Sequence, residues 1–253
     1  MISLEQLVAA ALTVGMRVSG LLLFAPVIGS PALPVRVKAG LAIALTALLF
    51  PNVNARAPLT GGAWLAVGLS ELIIGLLLGL TTTMVFEAVQ FAGQILGVQM
   101  GYSLVTVLDP TSQADTPVLG VFYQMLATLI YLRLNVHHWL LRGVARSFDL
   151  LPSGTVLTGR EVVPLALHVT GSIWVCGLQI AAPVLAATII ADVILAFIGK
   201  ASPQLPVMLI GISLKSTLGL LTTIAALALW PSWFERHFAD SIGWTERMLH
   251  LAH

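Results

Sequence analysis

The chain has 253 residues, of which 58% are hydrophobic and 9% charged, and its formal net charge is +1. A soluble domain has about a quarter of its residues charged. This composition therefore excludes an ordinary soluble protein and predicts a membrane protein. The balance of 12 Lys and Arg against 11 Asp and Glu argues against nucleic acid as a partner and against a polybasic membrane-surface module.

Six apolar stretches follow one another, at 4–28, 35–51, 63–96, 118–141, 162–199 and 204–230. A bilayer core needs about 20 helical residues. The first, fourth and sixth stretches match that length, the second is short, and the third and fifth are too long. Pro183 in the fifth stretch is expected to kink its helix, because proline removes a helical hydrogen bond. The chain is therefore predicted to be an all-α membrane protein with long, kinked helices in hairpins.

Charged residues interrupt these apolar stretches, where a charge is costly unless it is paired, hydrated or buried in protein. The predicted buried charges are Arg17, Glu71, Arg133, Asp192 and Lys215. An antiparallel hairpin that turns near residue 202 would bring Asp192 within about one helical turn of Lys215. The spacing therefore predicts an ion pair between these two side chains, and proton or ion coupling is the alternative role.

A polar seam is predicted on the third stretch. Its polar members recur every three or four residues and share one helix face, and its glycines, four residues apart, allow another helix to approach closely. The seam consists of Glu87, Gln90, Gln94, Gly93 and Gly97. We expect it to lie between subunits of an oligomer. Packing within the chain, with Glu87 paired to Arg17 or Arg133, is the alternative.

The segment 97–110, GVQMGYSLVTVLDP, is apolar but begins with glycine and ends with Asp-Pro. Aspartate before proline favours turn or extended geometry, so the helix is expected to stop within this segment. Non-helical backbone at membrane depth persists only when it is buried in protein or lines a cavity. The segment is therefore the candidate pore-lining element, and a surface re-entrant turn is the alternative.

The C-terminal part is predicted to be a helical hairpin with its turn at 199–206, which includes Lys200, Pro203 and Gln204. Aromatic and charged residues alternate after Pro231, which predicts an amphipathic segment at the membrane interface over 231–253. The sequence has no zinc-protease, nucleophile-elbow, phosphate-loop or dinucleotide motif. It therefore predicts no catalytic residue, no metal ligand and no cofactor.

Several segments together resemble the FliR family of export-gate proteins: GVQMGYSLVTVLDP, PVLGVFYQMLATLIYL, NVHHWLL, ASPQLPVMLIGISLKSTLGL and the opening RVSGLLLFAPVIGSPALPVRVKAGLA. The resemblance covers nearly the whole chain, and the segments occur in the family's order. The injectisome homologues of this family, the SctT proteins, share the pattern. A subunit of an injectisome export gate therefore stays open as an alternative to a flagellar one.

The resemblance implies a subunit of the flagellar type III protein export gate, a closed pore for unfolded flagellar proteins. The implied partners are FliP-like and FliQ-like subunits, FlhB- and FlhA-type components, secreted polypeptides and the lipid bilayer. The implied location is the bacterial inner membrane at the flagellar basal body. Residues 1–151 are expected to resemble a FliP subunit and residues 160–230 a FliQ hairpin, followed by the amphipathic segment.

The resemblance also implies that a loop near 97–116 plugs the pore. The expected plug residues are Met100, Gly101, Tyr102, Leu104, Val107, Leu108, Asp109 and Pro110. A secondary transporter that couples through Glu87 and Asp192 is an alternative, but such proteins place broken helices at corresponding positions of two halves, and this sequence does not. A membrane enzyme is a further alternative, and it lacks the required catalytic constellation.

Overall fold

The computed structural model describes residues 4–30, 33–52, 63–102, 118–154 and 159–251, and the regular structure in these ranges is helical. The α-helices are α1 (Leu4–Phe24), α2 (Val35–Leu49), α3 (Ala63–Gln99), α4 (Val118–Arg133), α5 (Val136–Leu150), α6 (Gly159–Ala201), α7 (Val207–Leu227) and α8 (Trp230–Leu251), with a short 3-10 helix at Phe50–Asn52. The predicted all-α architecture is confirmed.

In the described part of the chain, three helical segments are long and apolar enough to cross a membrane: Trp64–Gln99, Thr170–Ala201 and Leu209–Leu227. A fourth is added if α4 and α5, a broken pair, form one span. The break falls at Asn135, whose backbone is left-handed with φ 53°; asparagine tolerates this conformation better than most residues. Helix α6 runs through Pro183 without an interruption in its helical structure. These segments fit the predicted membrane protein.

The chain forms two compact units, and each is assembled from separate parts of the sequence. The first comprises Met1–Met84, Asn135–Gly171 and Arg236–His253, and the second comprises Val85–Leu134 and Ser172–Glu235. Three of the boundaries fall inside α3, α6 and α8, and the fourth falls between α4 and α5. The division of the sequence into a FliP-like part and a FliQ-like hairpin stays a prediction.

In the first unit, α1 packs against the N-terminal part of α3 through glycine. A β-carbon at Gly79 would lie 2.8 Å from the carbonyl oxygen of Leu21, and one at Gly75 would overlap the carbonyl group of Arg17. The missing side chains therefore let the two backbones approach closely. A hydrophobic cluster that includes Val14 and Val144 fills the space between α1, α3 and α5.

In the second unit, the C-terminal part of α3 contacts both α4 and α6. The rings of Phe86 and Tyr131 meet edge to face at 5.5 Å, and those of Phe91 and Trp174 do so at 4.6 Å. Helix α4 in turn contacts α7, where the Tyr123 hydroxyl lies 2.7 Å from Thr223 Oγ1. This packing determines what surrounds the end of α3, where the candidate pore loop begins.

Candidate pore loop and polar network

The candidate pore loop begins where α3 ends, at Gln99. Met100 donates its backbone N–H to Leu96 at 2.8 Å, and Gly101 then adopts φ 84°, in the left-handed region that glycine enters without strain. The predicted end of the helix is therefore observed within the predicted segment. Five of the expected plug residues lie outside the described part of the chain: Leu104, Val107, Leu108, Asp109 and Pro110.

The start of this loop is attached to α7. The side chain of Met100 is 1% exposed and lies against Gly219, where a β-carbon would come within 2.6 Å of the methionine sulfur. One residue further, a β-carbon at Gly101 would lie 3.1 Å from the Ile212 side chain. Met100 therefore occupies a space that α7 leaves open by having no side chain at position 219.

Tyr102 adds a polar contact to the same helix, because Ser216 Oγ donates to its hydroxyl oxygen at 2.8 Å. The ring is still 39% exposed. Met100, Gly101 and Tyr102 thus all contact one face of α7, at positions 212, 216 and 219, which are three or four residues apart. The first residues of the loop therefore pack against α7.

A polar network lies beside these contacts and joins three helices. Gln99 Nε2 donates to Asp192 Oδ2 at 3.0 Å, and Lys215 Nζ lies 3.0 Å from Asp192 Oδ1. The ion pair between Asp192 and Lys215 is confirmed. Reasoning from the sequence missed Gln99 as the third member, although it stands inside the quoted motif GVQMGY.

The five predicted buried charges differ in their surroundings. Arg17 and Glu71 are fully buried, whereas the side chains of Lys215 and Asp192 are 20% and 43% exposed. The prediction of burial is wrong for Arg133, which is exposed in this chain. It is the last residue of α4, so its side chain can extend past the helix end.

Arg17 is the centre of a buried network in the first unit. Its Nε donates to Glu71 Oε2 at 2.6 Å, and its terminal nitrogens donate to Ser147 Oγ and to the carbonyl oxygen of Leu151, each at 3.0 Å. The guanidinium carbon lies 3.9 Å from the centre of the Phe148 ring. This network accounts for the charge inside α1, and the alternative pairing of Arg17 with Glu87 is wrong.

The predicted polar seam divides into a buried and an exposed part. Glu87 and Gln94 are exposed and Gln90 is half-buried, whereas Gly93 and Gly97 are buried within the chain. A β-carbon at Gly93 would lie 2.9 Å from the Gly120 nitrogen, so this glycine packs against α4 of the same chain. The expectation that Gly93 lies between subunits is therefore wrong, because close approach of the two backbones already occupies that face.

The turn of the C-terminal hairpin is shorter than predicted. Helix α6 continues to Ala201, so Lys200 belongs to its last turn, where a cation is favourable. Pro203 and Gln204 lie in the exposed connection between α6 and α7. Among the residues that the structure describes, no three His, Cys, Asp or Glu side chains are grouped so that they could hold a metal ion.

A family model and individual relatives both place the chain among bacterial export proteins. The model of a family described as bacterial export proteins, family 1, matches residues 8–241. The chain is 34% identical over 229 residues to the flagellar biosynthetic protein FliR of Escherichia coli (strain K12), covering 89% of this chain and 87% of that protein. It is 29% identical over 230 residues to the flagellar biosynthetic protein FliR of Bacillus subtilis (strain 168), covering 89% of each chain.

Proposed function

This chain belongs to family 1 of the bacterial export proteins, and we propose that it is a subunit of the flagellar type III protein export gate. The observation that carries the proposal is its similarity, over 89% of its length, to proteins named flagellar biosynthetic protein FliR. The gate is a closed protein-conducting pore for unfolded flagellar subunits. Its proposed location is the bacterial inner membrane at the flagellar basal body, and the span-capable helices support a membrane location.

The segment after Gln99 is the proposed plug of this pore. Its apolar residues Leu104, Val107 and Leu108 close the resting pore, because a hydrophobic constriction excludes ions by dewetting without a charged gate. A polypeptide that threads through the pore displaces them. The charge-poor composition of the segment supports this role, since Asp109 is its sole ionisable carboxylate between Gly97 and Pro110.

The hairpin of α6 and α7 supports the plug from one side. Gln99 is held by Asp192 and Tyr102 by Ser216, so the residues where the plug begins have defined positions. Gly101, between these two contacts, has the backbone freedom to serve as the hinge about which the plug moves, and this movement breaks the contact of Tyr102 with Ser216. The loop can then be displaced while α3 and the hairpin stay packed.

The proposed partners are FliP-like and FliQ-like subunits, with FlhB- and FlhA-type components beside them. Glu87 and Gln94 support this, because they are exposed on a helix apolar enough to cross a membrane. A carboxylate facing lipid is costly, whereas one that meets polar groups of a neighbouring subunit is compensated. We therefore assign this exposed polar face to a contact between subunits.

The test is co-expression with the FliP-like and FliQ-like proteins of the same genome, purification in detergent through a tag on this chain, and native mass spectrometry. A hetero-oligomer that contains one copy of this chain is the expected result. The control is the same preparation with the tag omitted. Recovery of this chain as a monomer or homodimer, while both other proteins are well expressed, would contradict the proposal.

A further inference from the structure

Ser216 on α7 makes a different hydrogen bond from the other hydroxyl-bearing residues of its helix. In a helix, a serine or threonine hydroxyl ordinarily donates to a carbonyl oxygen three or four residues earlier. Four side chains of α7 do so, each to the residue four positions before it: Ser213, Thr217, Thr222 and Thr223. Ser216 Oγ instead donates to the Tyr102 hydroxyl oxygen at 2.8 Å. Its hydrogen bond therefore joins α7 to the residue where the proposed plug begins.

Gly101 separates two kinds of contact between the end of α3 and the hairpin. Before it, Met100 is 1% exposed and lies against Gly219. After it, the Tyr102 ring is 39% exposed and its hydroxyl contacts Ser216. Releasing Met100 would leave a buried apolar space unfilled, which is costly, whereas releasing Tyr102 breaks a hydrogen bond that is itself exposed. Movement about Gly101 therefore begins more easily at Tyr102 than at Met100.

Both partners of this hydrogen bond have a replacement when they separate. Rotation of the Ser216 side chain would bring its hydroxyl within reach of the Ile212 carbonyl oxygen, four residues earlier, which is the arrangement that Ser213 and Thr217 already show. The partly exposed Tyr102 hydroxyl can bond to water in an open pore. Because no polar group is left buried without a partner, separation costs only the modest net free energy of one hydrogen bond.

We propose that the hydrogen bond between Ser216 and Tyr102 is a latch that keeps the plug in its resting position. When the gate opens, Ser216 changes its acceptor from the Tyr102 hydroxyl to the Ile212 carbonyl oxygen, and Met100 stays packed on α7. The inference rests on the proposed plug and adds the contact that regulates its release. A polypeptide that enters the pore then breaks one exposed hydrogen bond and does not have to unpack α3 from the hairpin.

The test is the resting conductance of the gate, assembled with its FliP-like and FliQ-like subunits, in planar bilayers. Tyr102→Phe keeps the ring and removes the hydroxyl, and Ser216→Ala removes the donor. Each is expected to raise the resting conductance about fivefold, the effect of losing one typical hydrogen bond. The double variant should conduct no more than either single one, because both remove the same contact. Ser213→Ala and Thr217→Ala are the controls, since their hydroxyls bond within α7, and both should conduct like the unmodified gate.

Deletion of Leu104–Leu108, measured in the same bilayers, separates failure of the latch from failure of the plug. If the deletion raises the conductance while Tyr102→Phe and Ser216→Ala do not, the plug stands and the latch is wrong. Additive effects of the two single variants would also overturn the latch, because the residues would then act separately. If none of these changes raises the conductance of gates whose assembly is shown by native mass spectrometry, the plug assignment fails and the latch fails with it.

A reversible cross-link tests the same contact in the opposite direction. Tyr102→Cys/Ser216→Cys is joined by a short, reducible bismaleimide in a chain whose single cysteine is also removed by Cys176→Ala. Export of flagellar subunits is expected to fall at least tenfold and to recover after reduction. Leu209→Cys/Ser213→Cys, which joins two exposed positions within α7, is the control and should export normally. Export that continues through gates cross-linked between positions 102 and 216 would overturn the proposal.

Discussion

Asp192 and Lys215 form an ion pair at 3.0 Å that joins the two helices of the C-terminal hairpin. The same carboxylate accepts a hydrogen bond from Gln99, so the hairpin is connected to the residue where the proposed plug begins. Exposed ion pairs contribute only about 0–1 kcal/mol to stability, and both partners here are partly exposed. The pair therefore matters chiefly because it determines where Gln99 lies.

Replacing Asp192 by alanine is expected to make the assembled gate leaky to ions, because Gln99 and Lys215 both lose their acceptor. Asp192→Asn should leak less, since its amide oxygen can still accept from Gln99. Conductance of the purified assembly in planar bilayers measures both effects. Glu235→Ala, which removes an exposed carboxylate from the same unit, is the control. If the Asp192→Ala assembly conducted no more than the unmodified gate, this network would not hold the plug.

Deletion of Leu104–Leu108 tests the plug directly. The assembled gate should pass ions and small molecules at rest, because the deletion removes three apolar residues assigned to the seal. A deletion of equal length within residues 53–62, away from the proposed plug in sequence, is the control for a general effect of shortening the chain. If conductance in bilayer recordings were unchanged while the gate was shown to assemble, the assignment of this segment as the plug would be wrong.

Breaking the buried pair of Arg17 and Glu71 is expected to destabilise the first unit. Glu71→Ala leaves a buried guanidinium without its carboxylate, which typically costs about 3–5 kcal/mol. Arg17→Met/Glu71→Leu removes both charges and should recover most of that loss. Thermal unfolding of the full chain in detergent measures the order of stability. Glu87→Ala, an exposed carboxylate on the same helix, should change the melting temperature little, and a similar loss in all three variants would refute the prediction.

Gly93→Ala should destabilise the second unit by about 1–3 kcal/mol, because the added methyl group would lie 2.5 Å from the Gly120 Cα in the backbone of α4. Gly171→Ala is the matched control on α6, since a β-carbon there meets nothing within 4 Å. It should stabilise the helix by about 0.5–1 kcal/mol. Equal melting temperatures of the two variants would contradict the close packing of α3 on α4.

Glu87→Leu is expected to lower the amount of hetero-oligomer recovered through a tag on this chain, with the isolated chain still folded. The isosteric Glu87→Gln should assemble better than the leucine variant, because it keeps hydrogen-bonding capacity. Native mass spectrometry of the co-expressed proteins provides the measurement, with Glu235→Leu as the control. If Glu87→Gln instead assembled normally but abolished export, a coupling role for this carboxylate would replace the structural one.

Local geometry accounts for the contacts that could be predicted. The partners Asp192 and Lys215 lie on adjacent helices joined by a short turn, so their register follows from the rise per residue. The helix end near Gly101 follows from glycine, which enters the left-handed region without strain. Gln99 could not be assigned to Asp192, because these two residues are brought together by packing between distant parts of the chain.

The sequence by itself determined the all-α membrane character, because backbone polar groups in a bilayer must be satisfied within helices or closed barrels and the apolar stretches have helical length. The pairing that it suggested for Arg17 was Glu87, and it gave no reason to consider Glu71, which interrupts the same apolar stretch. The tertiary structure decided the pairing by bringing α1 against Gly75 and Gly79, next to Glu71, and by placing Glu87 on an exposed face. Which charge is buried depends on which helix faces meet, and that is a property of packing.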